Sequence, residues 1–466
     1  MLSNTYPQPA SILHTHPGQL FQLGNLRLPV AHGAMEIKDP IHGTIVVNSA
    51  EEAIIESREF QRLRQIKQLG FAEYSFPGAT HSRFLHSLGV MHLSGLAFDS
   101  VFRDFRFRSE ATRQRLRQAV RLGALLHDIG HGPLSHTTEE VMPRVRDLQI
   151  KVYQHRERGW SLDPERRANH EDYTIKMVTD SELSRTIDDS LKDMSGQHIA
   201  CLIDRGLKAP DDFFIEQDLD FRPVLSQIIS SEMDVDRMDY LERDAYFCGT
   251  NYGRVELEWL IGNLRFHESR GKLHLALNRR ALSTFDDFLI SRHHMYLMIY
   301  FHHKSLIYEE MLTRYLHSKD CTYSLPPTLE DYLRCSDFSL YEHLSQVQNK
   351  WARRISERRP FRMLTEIHTT EPTKRPRQIC QVLEADGIET ILSSSATRLS
   401  KYHATQEQEA FPIFVVDEYD AREKPVPIEK CTRIFQQYEE TRMIERIYVS
   451  PEAFAKAKKL VADKKL

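Results

Sequence analysis

Val120-Arg121-Leu122-Gly123-Ala124-Leu125-Leu126 is an almost wholly apolar helical run that stops at the polar pair His127-Asp128. A helix apolar on nearly every side belongs in the middle of a core, so the chain has to build a helical globule around it. The imidazole and carboxylate at its end then sit at the edge of an apolar interior, an expensive place unless something satisfies both. A divalent transition ion would do so, because neutral imidazole and carboxylate together suit one. His131 follows His127 by four residues and is expected on the same helical face, beside such an ion rather than bound to it. Taken alone, the dipeptide recurs by chance and reads as a capping or surface pair.

Composition sets broad limits. The chain has 466 residues, 41% hydrophobic and 27% charged, which fits about two to three globular units and argues against a disordered or fibrous chain. With 62 Lys+Arg against 66 Asp+Glu the formal charge is −4, so a chain-wide basic surface is absent and nucleic acid is a disfavoured partner. The 23 histidines crowd into particular stretches, and imidazole is the side chain best suited to binding transition metals and moving protons near neutral pH. No apolar run approaches the ~18 residues of a membrane span. Residues 1–20 lack a basic stretch followed by an apolar one, so a secretory signal is not expected. Cys201, Cys248, Cys321, Cys335, Cys380 and Cys431 are scattered without a C-x-x-C pair and are expected as free thiols. The expectation is a cytoplasmic protein with no membrane partner.

Residues 1–34 are rich in Pro, Gly and His without periodicity and are expected to form a flexible extension. After the turn-like Asp39-Pro40-Ile41-His42-Gly43, Ile45-Val46-Val47 reads as a short strand. From Glu51 to about His302 apolar residues recur at helical spacing, as in Ala53, Ile54, Ile55, Phe60, Leu63, Ile66 and Leu69. Gly132-Pro133 breaks the pattern, and another helix is expected after it. Residues 273–277 read as a strand. Residues 285–311 read as helix again, with His293, His294, His302 and His303 on one helix. Beyond about residue 320 prolines recur and β-rich runs appear at 411–416 and 444–449, followed by a lysine-rich amphipathic helix over 451–466. The reading is mainly α: a helical domain over 35–320 and a smaller α+β C-terminal lobe over 321–466, serving assembly or regulation.

Three other stretches supply partners for His127-Asp128. Phe76-Pro77-Gly78-Ala79-Thr80-His81-Ser82-Arg83-Phe84-Leu85-His86 places His86 on another apolar helix, with Arg83 one turn before it. His170-Glu171 opens a further segment. Met233-Asp234-Val235-Asp236-Arg237-Met238-Asp239-Tyr240-Leu241-Glu242-Arg243-Asp244 concentrates acids and arginines, with Asp234, Asp236 and Asp239 as rival registers for a ligand. These are the elements of a His…His-Asp…Asp metal site.

In order along the chain stand Asp-Pro-Ile-His-Gly (39–43), Phe-Gln-Arg-Leu-Arg (60–64), Ile-Lys-Gln-Leu-Gly (66–70), Phe-Pro-Gly-Ala (76–79), Arg-Phe-x-His-Ser-Leu-Gly-Val (83–90) and His-Asp-x-Gly-His-Gly-Pro-x-Ser-His (127–136). Through these motifs residues 37–303 resemble the HD-domain deoxynucleoside triphosphate triphosphohydrolases. The C-terminal lobe matches the bacterial branch only loosely. The resemblance implies an HD-type helical core and cleavage of dNTPs, with dGTP a candidate for preference, to deoxynucleoside and triphosphate. It implies that His86, His127, Asp128 and Asp236 bind one divalent ion; mixed N/O ligands accept Fe, Mn, Zn, Co or Ni, and Mg²⁺ would come with the nucleotide. His131 and His170 would lie by the α-phosphate, supported by Glu139 and Glu171, with His136 near the scissile bond. Vertebrate members carry Asp at the position of Glu139.

Arg83, Arg237 and Arg292 correspond to the phosphate clamp, and Gln68, Leu69, Tyr240, Asp244 and Tyr300 to the sugar pocket. Glu56, Gln61 and Arg64, with Arg265 and Arg280, fall where vertebrate members bind activating GTP or dNTP, although Asn278 and His303 replace basic residues there. A homo-oligomer, with a tetramer favoured, is implied by the resemblance alone. Rival readings are an HD phosphohydrolase acting on phosphomonoesters or single-stranded nucleic acid, and a nucleotide-sensing regulator with little turnover.

Overall fold

The computed structural model describes residues 35–371, 373–397, 412–419, 424–432, 434 and 442–464. The expected N-terminal extension, with His14, His16 and His32, lies outside them. The apolar run becomes the second half of the Glu110–Leu126 helix, started by Ser109, whose side chain accepts from the Thr112 amide. Leu116, Ala119, Val120, Leu122, Ala124, Leu125 and Leu126 are all buried. The charge inside the run, Arg121, is buried too and is held by Glu51 at 2.6 and 2.8 Å. A buried guanidinium needs such a fork of oxygens.

Against this helix packs Arg83–Val101, itself buried on nearly every side, and across that helix lies Val235–Cys248. Helices His170–Thr179, Gly196–Ile203 and Arg222–Ile229 close the core. Polar groups collect where these helices begin or end, because only there does the chain leave the apolar interior. Asp234 caps the third helix by accepting from the Arg237 amide at 2.8 Å, and Gly249, with φ +70°, ends it.

The sheets are small. Met35–Asp39 and Gly43–Val47 form an antiparallel hairpin. Lys272–Asn278 pairs antiparallel with Leu264–Ser269 and parallel with Phe414–Val416, so a strand from late in the chain joins a sheet of the helical part. Arg442–Val449 lies between Arg362–Thr369 and Thr390–Thr397, all antiparallel. Helices Arg375–Ala385 and Phe454–Asp463 pack on that sheet through Ile379, Leu383 and Ala457. A second apolar cluster crosses residue 320, joining Phe71, Leu134 and Met311 to Trp351, Ile391 and Tyr448. No helix among the described residues is long and apolar enough to cross a membrane. All six cysteines are free.

Three local expectations fail. The Glu110–Leu126 helix stops before His127, so His127 and His131 share no helical face. The segment turns instead so that Gly130 lies against His170 and Thr174, where a Cβ would collide with the His170 carbonyl. After Pro133 the chain makes the 3-10 turns Ser135–Val141 rather than an α-helix. The helix expected over 285–311 is two helices, Leu282–Met295 and His303–Leu316. Between them lie a π turn at Tyr296–Tyr300 and an extended His302, whose side chain caps the second helix. His293 and His294 therefore do not share a helix with His302 and His303.

Gly89 faces the Asp239 and Arg243 side chains so closely that a Cβ would overlap both. Gly89→Ala is expected to cost about 1–3 kcal/mol of stability, measured by denaturant unfolding. A change within about 0.5 kcal/mol would mean that the helix crossing tolerates a methyl group there.

Candidate active site

The ends of the three central helices bring His86, His127 and Asp236 together, with one donor atom of each within 4.8 Å of the others. Nε2 of His86 is 3.0 Å from Asp236 Oδ1, and Nε2 of His127 is 3.6 Å from the same oxygen. Asp128 Oδ1 stands 3.4 Å from His127 Nε2, and its Oδ2 is 3.7 Å from His86 Nε2. Neither Nε2 atom makes an aligned hydrogen bond although both are buried. Burial alone would drive both imidazoles neutral. The carboxylates overturn this: Asp236 and Asp239 raise His86 to about 10, and Asp128 and Asp236 raise His127. A pocket that draws protons this strongly is one that a cation would stabilise. Two orphaned imidazole nitrogens facing carboxylates fit a divalent transition ion.

Behind His86 lies a layer that the sequence did not reveal. His86 Nδ1 is 2.8 Å from Asp239 Oδ2, which leaves Nε2 turned toward Asp236 and Asp128. Asp239 is gripped by Arg243 at 2.8 and 2.9 Å, and Arg243 also holds Asp39 at 2.8 Å. His42 completes the set at 2.6 Å from Asp239. A carboxylate behind a ligand imidazole fixes its orientation and raises its basicity. The available signals were the Asp39–Gly43 motif and the third acid of the Asp-x-Asp-Arg-x-Asp run. Asp234, Asp236 and Asp239 thus divide the work: one caps the helix, one faces the cation pocket and one orients His86.

Next to this pocket His131, His136, Glu139 and His170 form a second group, again with donor atoms within 4.8 Å. His131 and His170 are stacked, with centroids 3.9 Å apart and planes at 14°. Glu139 Oε1 lies 2.5 Å from His170 Nδ1 and 3.2 Å from His136 Nδ1. Stacked imidazoles cannot comfortably both be charged, and their surroundings separate them. Burial, then Arg83 and His170, hold His131 well below the usual histidine value. For His170, burial is outweighed by Glu139 and the pKa rises. Two groups pushed apart in this way form an acid/base pair. Glu171 is exposed one residue further along the helix and adds to the field that raises His170.

Arg83 links the two groups. It pairs with Asp128 through Nη1 and donates to Ser135 Oγ from Nε and Nη2 at 3.0 and 2.9 Å. The other arginines expected to face phosphates also hold carboxylates: Arg237 pairs with Asp234, and Arg292 with Glu232 at 2.9 Å. Asp244 stands between His81 Nε2 and Tyr300 Oη, each at 2.8 Å, and Tyr240 meets the Tyr300 ring edge-on at 6.2 Å. The Gln68 amide donates to the His81 carbonyl, and Gln68 Oε1 is buried without a hydrogen-bond partner. Leu69 is partly buried beside it.

Residues 83–244 match the profile of the HD domain, and residues 255–391 match that of the HD-associated region. Residues 83–244 therefore form an HD domain. The chain is similar to the uncharacterized protein YwfO of Bacillus subtilis, 29% identical over 410 residues, which are 81% of this chain and 84% of that protein. A deoxynucleoside triphosphate triphosphohydrolase SAMHD1 homolog of Dictyostelium discoideum is 34% identical over 220 residues, 46% of this chain and 36% of its own length. Among solved structures, a hypothetical protein from Aquifex aeolicus superimposes with a TM-score of 0.69 at 26% identity, covering 92% of this chain and all of that one.

The expected effector residues lie in two places. Gln61 donates to the Ile55 carbonyl and accepts from Arg64 at 2.7 Å, Arg64 lies over the Phe84 ring, and Glu56 is exposed nearby in sequence. Arg265 pairs with Glu418, while Arg280 bonds Asn263 and covers Trp259.

The HD-associated region reaches the HD domain through Asp337, which is 2% exposed. Its Oδ1 accepts from the Leu134 amide at 2.8 Å and its Oδ2 from the Lys67 amide at 2.9 Å. Leu134 and Ser135 both adopt left-handed backbone, φ +52° and +55°, a conformation that persists only where neighbours enforce it. Asp337 and Arg83 enforce it together, so one carboxylate sets the Ser135–Arg83–Asp128 side and, through Lys67, the Gln68–Leu69 side. Asp337→Ala is expected to lower turnover by about 10²-fold with metal content unchanged. Asp337→Asn, which keeps one acceptor, should fall between. Wild-type turnover in Asp337→Ala would contradict this positioning role.

Proposed function

We propose that this HD-domain protein is a metal-dependent triphosphohydrolase that cleaves dNTPs to deoxynucleoside and inorganic triphosphate. The observation that carries the reading is the stacked His131 and His170 pair, whose pKa values are pushed in opposite directions, beside the cation pocket of His86, His127, Asp128 and Asp236. The similarity to the Dictyostelium triphosphohydrolase supports the same substrate class. A bound divalent ion supplies a lowered water pKa and polarises the phosphoryl group. His170, with Nδ1 engaged by Glu139, presents its Nε2 proton to the departing 5′ oxygen. His131, neutral and buried, is free to take a proton from the attacking water. His136, exposed beside them, faces the entering polyphosphate.

Arg83, Arg237 and Arg292 bind the phosphates by exchanging their internal carboxylates for phosphate oxygens, which match a guanidinium fork. Asp244 and Gln68 hold the 3′-hydroxyl, while Leu69, Tyr240 and Tyr300 crowd the 2′ carbon. A ribose hydroxyl there would stay unpaired, which gives deoxyribose selectivity. Mg²⁺ accompanies the nucleotide, GTP or a dNTP is the candidate activator at the Glu56–Arg64 and Arg265–Arg280 groups, and a homo-oligomer is the expected working form.

Two measurements test this. Each dNTP and NTP, alone and with GTP or dGTP, is incubated with the protein and the products are identified. Deoxynucleoside plus triphosphate is expected. Monophosphate plus pyrophosphate, cleavage of NTPs as fast as dNTPs, or no product in any mixture would contradict the reading.

The pH profile tests the acid. Because the His170 pKa is raised, its charged form persists above pH 6.5, and kcat/KM should fall only on the alkaline side of that value. Glu139→Gln weakens the hydrogen bond that contributes most to raising it, while Asp128 and Glu171 remain, so the alkaline limb should move to lower pH. A limb that stays in place would show that His170 is not the acid.

A further inference from the structure

The His131, His136, Glu139 and His170 group has a property that proton transfer does not need. It offers three imidazoles and one carboxylate within 4.8 Å, and it shares no residue with the His86, His127 and Asp236 group. A proton pair requires two of these side chains; a tetrahedral ion requires four donors. We propose that this group is a second, inhibitory transition-metal site that takes Zn²⁺ or a similarly imidazole-seeking ion.

The geometry favours an ion at the Glu139 end. Donors around a tetrahedral ion with bonds of about 2.0–2.1 Å stand roughly 3.4 Å apart. Glu139 Oε1 is 3.2 Å from His136 Nδ1, close to that spacing. Its 2.5 Å approach to His170 Nδ1 opens when an ion replaces the proton between them. The His136 ring stands at 79° to His131 and 74° to His170, with both centroids at 5.1 Å, so it approaches from a separate direction. His136 is also the exposed member, with a side chain 70% exposed, so its ring has room to turn toward an ion.

His131 and His170 are stacked at 14° and cannot both aim at one point as they stand. His131 therefore supplies the fourth ligand only by turning out of the stack. Its Nδ1 is buried without a hydrogen-bond partner, so turning exchanges only the 3.3 Å contact of Nε2 with Asp128 Oδ1 for a metal bond. Three imidazoles select borderline ions over Mg²⁺ or Ca²⁺, which prefer oxygen.

The inhibitory sense rests on the proposed triphosphohydrolase reading: an ion here would occupy both proton carriers. Site existence does not rest on it. The test therefore reads metal first and turnover second. Full-length protein stripped with chelator is dialysed against graded Zn²⁺, and bound metal per chain is measured. The comparison uses His136→Ala/Glu139→Gln, His127→Ala/Asp236→Asn and the combination, each checked for folding by circular dichroism.

Two equivalents are expected in the wild type, one in each double variant and none in the combination. With Co²⁺, the visible absorption of a tetrahedral N/O site should remain in His127→Ala/Asp236→Asn and vanish in His136→Ala/Glu139→Gln. One equivalent in the wild type would overturn the proposal. So would a second equivalent that survives His136→Ala/Glu139→Gln, which would mark it as adventitious surface metal.

For the inhibitory role, the Zn²⁺ concentration that halves residual dNTP turnover should rise at least roughly tenfold in His136→Ala. An unchanged midpoint with the second equivalent lost would overturn inhibition while leaving the site. No dNTP turnover in any form, with two equivalents bound, would sink the triphosphohydrolase reading and not the site.

Discussion

The buried charge set around Asp239 is the constraint on which the rest depends. Arg243, Asp239 and Asp39 are essentially inaccessible to water, and a lone charge there would be prohibitive. Each is stable only because the guanidinium fork spans both carboxylates and because His42 and His86 take the remaining acceptor positions. This arrangement ties the N-terminal hairpin to the Val235–Cys248 helix and orients His86. Gly89 is the opening through which it reaches the Arg83–Val101 helix. The cation pocket is thus anchored from behind by residues that never face it.

The front of the site depends on a contrast of charge. On one side carboxylates raise the pKa of both His86 and His127, the mark of a place prepared for a cation. On the other, burial and Arg83 push the His131 pKa down while Glu139 pulls that of His170 up. Asp128 stands between, 3.4 Å from His127 Nε2 and 3.3 Å from His131 Nε2, and Arg83 holds it in place. Arg83, Arg237 and Arg292 are each paired with a carboxylate, and in the proposed reaction phosphate oxygens take those places. The near-zero net charge of the chain conceals this local separation.

Much of this was legible from residue order because local rules govern it. The apolar run ending at His127 placed a helix end in the core, and the spacing of Arg83 and His86 placed both on the next helix. The Asp-rich run by itself did not distinguish its acids, since their roles come from what each one meets across the interface, and Asp236 was singled out only through the resemblance. The expected shared face of His127 and His131 failed because a four-residue spacing reads as helical, while the close approach of Gly130 to His170 is tertiary. Helical periodicity also hid the π turn before His302. Asp337 left no signal: it is an ordinary N-terminal helix acid whose importance arises from two amides far away in sequence. Glu232 was invisible for the same reason.

The most direct test of the central claim, attack of water at the α-phosphorus, is hydrolysis of a dNTP in ¹⁸O-labelled water with mass analysis of both products. The account predicts one ¹⁸O in the released triphosphate and none in the deoxynucleoside, because the P–O5′ bond breaks and the incoming oxygen stays on phosphorus. Label in the deoxynucleoside hydroxyl, or in orthophosphate or pyrophosphate, would contradict it.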